Sequence, residues 1–334
     1  MTEPVLQVHD LTVVFETFEG RYSALNSVDL TINEVEIVGL VGESGCGKST
    51  LALAVMGLLP HPPARVLSGS ITFRGSNLLT YTEEQMEHVR GTGISMIFQE
   101  PLTSLNPLFT IGDQLSESII IKLQRAGADV GRRTGKVHAE VVNWLKHVDL
   151  ADPESAMDRY PHEWSGGMRQ RVMIAMALSS EPQLMLADEP TSALDVTTQA
   201  QILRLVKSLV KEVKASVLFI SHDLAVVAQI ADRVAVMYAG MVVEEASVNE
   251  IFEHPLHPYT QALLSSFPKE KSVKKSRLEI IPGSVPNLTH IPSGCPFHPR
   301  CKYVREVCST ARPELRETSP GHKVACVLYD HEQH

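Results

Sequence analysis

The chain has 334 residues, 43% of them hydrophobic and 21% charged, a balance that suits a globular protein with a substantial core. Its net charge of −9 argues against a nucleic-acid binder, which carries a basic footprint. No run approaches the roughly 18 apolar residues of a membrane span, and Met1–Asp10 lacks the charged-then-apolar pattern of a secretory signal.

Leu6–Phe15 and Ala24–Ile32 alternate and hold several β-branched residues, so both read as strands, and Glu36–Val41 reads as a short buried strand running into glycines. A helix is expected from Lys48 towards Gly57, and Ile94–Phe98 reads as a strand that ends in a polar loop. The pattern turns helical from Ile111 to His147, interrupted by the polar stretch Gly127–Gly135. Ser165–Leu178 follows as a helix and Leu184–Ala187 as a buried strand. Thr197–Val213 is amphipathic, with Ile202, Leu205, Val206, Leu209 and Val213 on one stripe, and Ser216–Ile220 is a further apolar strand. Strands alternating with helices predict a parallel sheet wrapped by helices. The stretch between Gln99 and Ser165 has no strand of its own and reads as an inserted helical subdomain. Beyond Pro255 the chain becomes proline-rich, carries four of the five cysteines and reads as an appendage with few regular elements.

Gly42-Glu43-Ser44-Gly45-Cys46-Gly47-Lys48-Ser49 fits G-x-x-x-x-G-K-S/T and is followed by Thr50. Its glycines let backbone N–H groups turn inward around phosphate oxygens, and the following helix adds its positive end. Lys48 is the candidate for the β- and γ-phosphates of ATP and the Ser49 hydroxyl for Mg²⁺. Cys46 needs no role of its own. Leu184-Met185-Leu186-Ala187-Asp188-Glu189 is an apolar strand ending in two acids. Asp188 is the Mg²⁺ candidate, and Glu189 is placed to polarise the attacking water. Alone, two acids after a strand compete with a helix N-terminal cap.

Trp164-Ser165-Gly166-Gly167-Met168-Arg169-Gln170 resembles the signature of the ABC ATPase family, usually written LSGGQ. Gln99 matches that family's Q-loop glutamine, Ser192-Ala193-Leu194-Asp195 its D-loop, and His222 its switch histidine. With the phosphate loop and the acidic pair, six motifs occur in the family's order between Gly42 and His222. The resemblance implies an α/β P-loop NTPase core, made of a RecA-like parallel-sheet subdomain and an antiparallel β subdomain, over residues 1–256. It places the helical subdomain, where a membrane partner docks, at about 100–165. By the same resemblance Ser165, Gly166, Gly167, Met168 and Asp195 face the ATP of a second subunit, and hydrolysis requires a dimer with two composite sites. Gln99 senses nucleotide, and His222 contacts the γ-phosphate. For the aromatic that stacks on adenine, Phe15, Phe18 and Tyr22 all stand near the end of the first strand, and Tyr22 is favoured. One departure from the family is Val35, in Asn33-Glu34-Val35-Glu36, where a turn glycine is usual.

His257-Pro258-Tyr259-Thr260-Gln261-Ala262-Leu263-Leu264, then Ile281-Pro282-Gly283 and Val285-Pro286, resemble the closing segment of oligopeptide and dipeptide permease ATPases. Residues 257–334 are then that family's C-terminal extension. Cys295, Cys301, Cys308 and Cys326 follow at spacings that lack the C-x₂₋₄-C knuckle of structural zinc sites. Those spacings and the resemblance favour a four-iron four-sulfur cluster stapling the extension, with zinc or free thiols as alternatives. His298 and His322 are left as bystanders.

The expected protein is thus an ATPase subunit that energises import of short peptides from the cytoplasmic face of the membrane. Its implied partners are a second, similar ATPase in a heterodimer, two transmembrane permeases and an extracytoplasmic binding protein, with no nucleic acid. Nickel or oligosaccharide uptake is the alternative within the family. A non-transport ABC protein would carry two cassettes or a long coiled coil, and a regulatory protein with a vestigial ATPase would not keep Lys48, Asp188, Glu189 and His222 intact.

Overall fold

The computed structural model describes residues 4–18, 20–99, 104–131, 134–266 and 281–330. Parts of four sequence readings lie outside the described residues: the first three residues of the N-terminal stretch, 100–103 of the inserted helical stretch, Arg132 and Arg133 in the polar interruption, and 267–280 and 331–334 of the appendage. In chain order the strands are β1 (Leu6–Thr17), β2 (Gly20–Ile32), β3 (Ile37–Val41), β4 (Ala64–Phe73), β5 (Ser76–Asn77), β6 (Ile94–Ile97), β7 (Leu184–Asp188), β8 (Ser216–Ser221), β9 (Arg233–Tyr238), β10 (Met241–Ser247), β11 (Arg316–Ser319) and β12 (His322–Val324). The α-helices are α1 (Lys48–Val55), α2 (Glu83–Val89), α3 (Ile111–Arg125), α4 (Gly135–His147), α5 (Pro153–Met157), α6 (Gly166–Ser179), α7 (Val196–Val213), α8 (Leu224–Ile230), α9 (Val248–Glu253) and α10 (Pro258–Ser265).

The chain divides into two compact units. One comprises Met1–Val5, Ile32–Ile37 and Thr80–Ile220. Its strands β6, β7 and β8 run parallel with β7 in the middle, Leu184 lying opposite Ile94 on one side and Ser216 on the other. Every residue of β7 and β8 is buried, which explains their unbroken apolar runs. Helices α3, α4 and α6 pack on one another, and α6 also lies against α7 and β6. Helix α7 buries Ile202, Leu205, Val206 and Leu209, so the predicted stripe is its inner face. Ahead of β3, Val35 sits at φ 56 with its N–H donating to Ser216 Oγ at 2.9 Å. The valine has adopted the left-handed conformation that a turn glycine takes without strain, and it leaves its side chain half exposed.

The other unit comprises Leu6–Thr31, Val38–Leu79 and Ser221–His334. It holds a sheet in the order β2-β1-β4-β5, with β4 antiparallel to both β1 and β5. A second ladder runs β11-β12-β10-β9-β3, in which only β3 and β9 are parallel. The sheet expected to be parallel is therefore mixed. The hairpin from β9 to β10 turns on Ala239 and Gly240, at φ 46 and φ 80, the pair of left-handed residues that a two-residue hairpin requires. Gly240 has no substitute there, because a Cβ would lie 2.7 Å from the Ala24 carbonyl oxygen. The appendage is also more regular than expected: β11 and β12 form a hairpin, and β12 pairs Val324 with Glu244 of β10.

Candidate functional site

In the second unit, buried β3 delivers the chain into the glycine-rich loop, and α1 leaves it at Lys48. Gly47 caps α1 at φ 107 with no side-chain cap, so the first N–H groups of the helix are left to a ligand or solvent. Two close approaches fix the loop. A Cβ on Gly42 would lie 2.1 Å from the Met237 carbonyl oxygen, and one on Gly47 would lie 2.5 Å from that of Ala24. Lys48 is 5% exposed, and its ammonium folds back to donate to the Gly42 carbonyl at 2.8 Å and the Glu43 carbonyl at 3.2 Å. It also donates to Cys46 Sγ at 3.8 Å, and a buried cation held by neutral groups of its own loop is suited to an incoming polyanion, so the loop fits a triphosphate. Burial pushes the Cys46 thiol up despite the neighbouring Lys48, which keeps it neutral and chemically quiet. In the β1–β2 hairpin, Phe15 and Tyr22 stack with centroids 5.2 Å apart and planes 3° from parallel, while Phe18 is fully exposed. His222 is exposed just before α8, whose N-cap is Asp223.

In the first unit, Asp188 ends β7 and is 4% exposed. Glu189 follows at φ 46, its N–H donating to the Ile220 carbonyl at 3.0 Å. A left-handed glutamate directly after a buried strand is the kind of backbone strain that collects at functional sites. Gln99 reaches it, Nε2 donating to the Glu189 carboxylate at 3.3 Å, so two residues 90 apart in sequence meet here. Ser165 caps α6, its Oγ accepting from the Met168 N–H at 3.4 Å, and Gly166 and Gly167 form the open first turn. A Cβ on Gly167 would lie 2.8 Å from the Thr198 methyl, so that glycine lets α6 approach α7. Asp195 caps α7 by accepting from the N–H groups of Thr197 and Thr198, and the Thr198 bond holds its carboxyl below the usual range. It therefore has a local structural task whatever else it faces.

A family model described as ABC transporter matches residues 25–192, half of the chain. The chain belongs to the ABC transporter family. It is an ATPase with the ABC cassette fold, built here on mixed α/β sheets. Residues 243–308 of this ABC protein also match the C-terminal region of oligopeptide/dipeptide transporters. It is 47% identical to a probable peptide ABC transporter ATP-binding protein of Sinorhizobium fredii, over 96% of this chain and 94% of that one. It is 44% identical to the dipeptide transport ATP-binding protein DppD of Bacillus subtilis, over 98% and 96% respectively. Among solved structures, a dimeric ATP-binding cassette in a post-hydrolysis state with ADP and Pi matches at TM-score 0.63 and 27% identity, over 73% of this chain and 98% of that one. Among the described residues, no helix is long and apolar enough to cross a membrane.

The cysteine reading needs correction. Among the described residues, no group of three or more histidine, cysteine, aspartate or glutamate side chains is placed to hold a metal ion. The iron–sulfur expectation and its zinc alternative therefore both fall. Cys295, Cys301, Cys308 and Cys326 are free thiols lining a small apolar pocket with Phe297, Pro313 and Leu328. Burial first, and then the neighbouring cysteines, push Cys295 and Cys326 up to about 11, so both are neutral thiols at pH 7. Other contacts fasten the extension. Tyr238, Tyr259 and Phe297 form an aromatic cluster with centroids 4.6 to 5.4 Å apart. Arg300 grips Glu43 of the phosphate loop, Nη1 to Oε2 at 2.8 Å and Nη2 to Oε1 at 3.2 Å. His322, taken as a bystander, is 2% exposed, and its Nε2 bonds Glu244 Oε1 at 2.8 Å. Arg300, Tyr259, Glu244 and His322 were missed because each acts through a partner many positions away.

His257 adds a pH dependence. Its ring is 1% exposed, its Nδ1 accepts from the Tyr259 N–H at 3.1 Å, and burial pulls its pKa from 6.5 down to about 3. Between those values the unfolded chain carries a proton that the folded chain refuses. Stability is therefore whole above about pH 6.5 and falls as pH drops towards 3, by about 1.4 kcal/mol per pH unit. Urea unfolding is expected to lose about 2 kcal/mol from this group between pH 7 and pH 5. His257→Asn, which keeps an acceptor but does not titrate, is expected to flatten the profile by that amount, and an unchanged slope refutes the assignment.

Proposed function

We propose that this chain is the ATP-binding and ATP-hydrolysing subunit of an importer of dipeptides and oligopeptides. The observation that carries the reading is the oligopeptide/dipeptide-type C-terminal region at 243–308 following an ABC match at 25–192. Relatives with peptide-transport names, similar along nearly their whole length, support it. On this reading ATP enters the Gly42–Thr50 loop, and Lys48 exchanges the Gly42 and Glu43 carbonyls for the β- and γ-phosphates. The Ser49 hydroxyl and Asp188 carboxylate are the oxygen ligands assigned to Mg²⁺, which neutralises charge on the phosphate oxygens. Glu189 orients and deprotonates the attacking water, with Gln99 holding its carboxylate, and His222 donates to the γ-phosphate. The stacked Phe15–Tyr22 pair supports Tyr22 as the adenine platform, with Phe15 setting its plane.

The Ser165–Gly167 helix start and Met168, with Asp195 beside the α7 cap, are assigned to the ATP of a partner subunit, because an N-terminal turn presents N–H groups to anionic oxygen. The partner is a second ATPase of this kind, and the pair works on two membrane permeases supplied by an extracytoplasmic binding protein. Residues 1–256 are read as the cassette, with the helices of 100–165 as its permease-docking subdomain, and 257–334 as the extension. The subunit then sits on the cytoplasmic face of the membrane. The test is reconstitution with the permeases that co-purify with it. ATP turnover should rise when a peptide-loaded binding protein is added, with uptake of labelled di- and tripeptides. Uptake of Ni²⁺ or an oligosaccharide without peptide uptake overturns the cargo assignment.

A further inference from the structure

Glu43 is the one carboxylate in a loop that has to receive a triphosphate. Left ionised beside the cradle, it opposes the polyanion that Lys48 attracts. The structure deals with that charge from the far end of the chain. Arg300 meets it with two hydrogen bonds of 2.8 and 3.2 Å, in the fork geometry that a lysine cannot reproduce. The guanidinium is 9% exposed and fully engaged: Nε donates to the Pro282 carbonyl at 2.9 Å and Nη1 also to the Tyr238 hydroxyl at 3.2 Å. Its carbon lies 5.8 Å and 6.0 Å from the ring centres of Tyr238 and Phe297. Burial works against the arginine's charge, but the Glu43 carboxylate and the Tyr238 hydroxyl outweigh it and raise its pKa. The Tyr259 hydroxyl, also from the extension, accepts the Glu43 N–H at 2.9 Å. The entry arm of the loop is thus held at its side chain and at its amide by residues that follow the cassette.

We propose that Arg300 is a positioning residue for nucleotide binding, an electrostatic mask that cancels the Glu43 carboxylate so that an incoming nucleoside triphosphate meets Lys48 as the loop's only uncompensated charge. The C-terminal extension then acts on the ATP site of its own subunit as well as filling out the fold. This rests on reading 42–50 as the triphosphate cradle, and the two ideas fail differently. If the unaltered chain does not bind ATP, the cradle reading is wrong. If it binds ATP and Arg300→Gln binds equally well, only the mask is wrong.

The experiment is equilibrium binding of ATP, ADP and adenosine to the full chain and to Arg300→Gln, Arg300→Lys and the Glu43→Gln Arg300→Gln double variant, at low and high salt. Exposing one carboxylate beside a polyanion is expected to weaken ATP on the order of tenfold at low salt, with a smaller loss at high salt. ADP should lose less than ATP, and adenosine should not change. Removing Glu43 as well should recover most of the loss, because the charge to be masked has gone. A purely mechanical clasp predicts the opposite: equal losses for all three ligands, no salt dependence, and a double variant no better than the single one. Any of these results overturns the mask. Should Arg300→Gln fail to fold, Arg300→Lys decides. It keeps the charge without the fork, so ATP should stay within about threefold of the unaltered chain, and a tenfold loss refutes the proposal.

Discussion

Glu189→Gln is expected to lower ATP turnover about 10²- to 10³-fold while leaving ATP affinity close to that of the unaltered chain. The substitution is nearly isosteric. It keeps the left-handed backbone at φ 46 and the N–H bond to the Ile220 carbonyl, so β7 and the turn after it need not move. On the proposed role, it removes the negative charge that would accept the water's proton. Gln99 can still donate to the new carboxamide oxygen across the observed 3.3 Å contact, so the pair stays together. Loss of chemistry with retention of binding would separate Glu189 from Lys48, whose proposed role is the phosphate contact itself. The measurement is phosphate release under single turnover, alongside ATP binding, and an ATP-bound dimer that persists on gel filtration is the companion result. Turnover within a few fold of the unaltered chain refutes the general-base role.

The parts of the site legible in the sequence are those where one segment carries its own physics. An apolar strand, a glycine turn and a helix start can be read from Ile37–Val55 without knowing what lies nearby, because each requirement is local. The same holds for Ser165, whose side chain caps the helix three residues ahead, and for the apolar stripe of α7. Reading failed where the partner was remote or the pattern had no period. Residues 234–246 are buried on both faces, so β9 and β10 show no alternation, and their turn is Ala239-Gly240 in place of the stronger Asn-Gly signal. Arg300 lies 257 positions from the carboxylate it neutralises, and nothing in Pro299-Arg300-Cys301 points to it. The cysteines misled for a related reason. Spacing counts candidate ligands but does not show whether the side chains are placed to hold an ion.

Glu244→Ala is expected to destabilise the region around β10, β12 and the start of α10 by about 3–5 kcal/mol. Glu244 has no exposed surface and stands on β10, where it faces Val324 of β12 in register. Its carboxylate accepts from the Leu256 N–H at 2.7 Å, the His257 N–H at 2.9 Å and His322 Nε2 at 2.8 Å. One side chain thus satisfies two backbone donors at the start of the extension and one ring donor near its end. Alanine strands all three, and a buried donor left without a partner costs more than the bond it made contributed. Glu244→Gln is expected to cost less, since its carbonyl oxygen can keep some of these bonds while the amide nitrogen must turn away from the rest. Amide exchange reads the effect where it arises: the N–H groups of Leu256 and His257 and the β10–β12 ladder should lose protection first, with β6, β7 and β8 affected least. Uniform loss of protection in all strands would mean that Glu244 holds the whole fold, and no loss would mean that the ring and backbone donors find other partners. The first outcome widens the claim that this carboxylate anchors the extension, and the second defeats it.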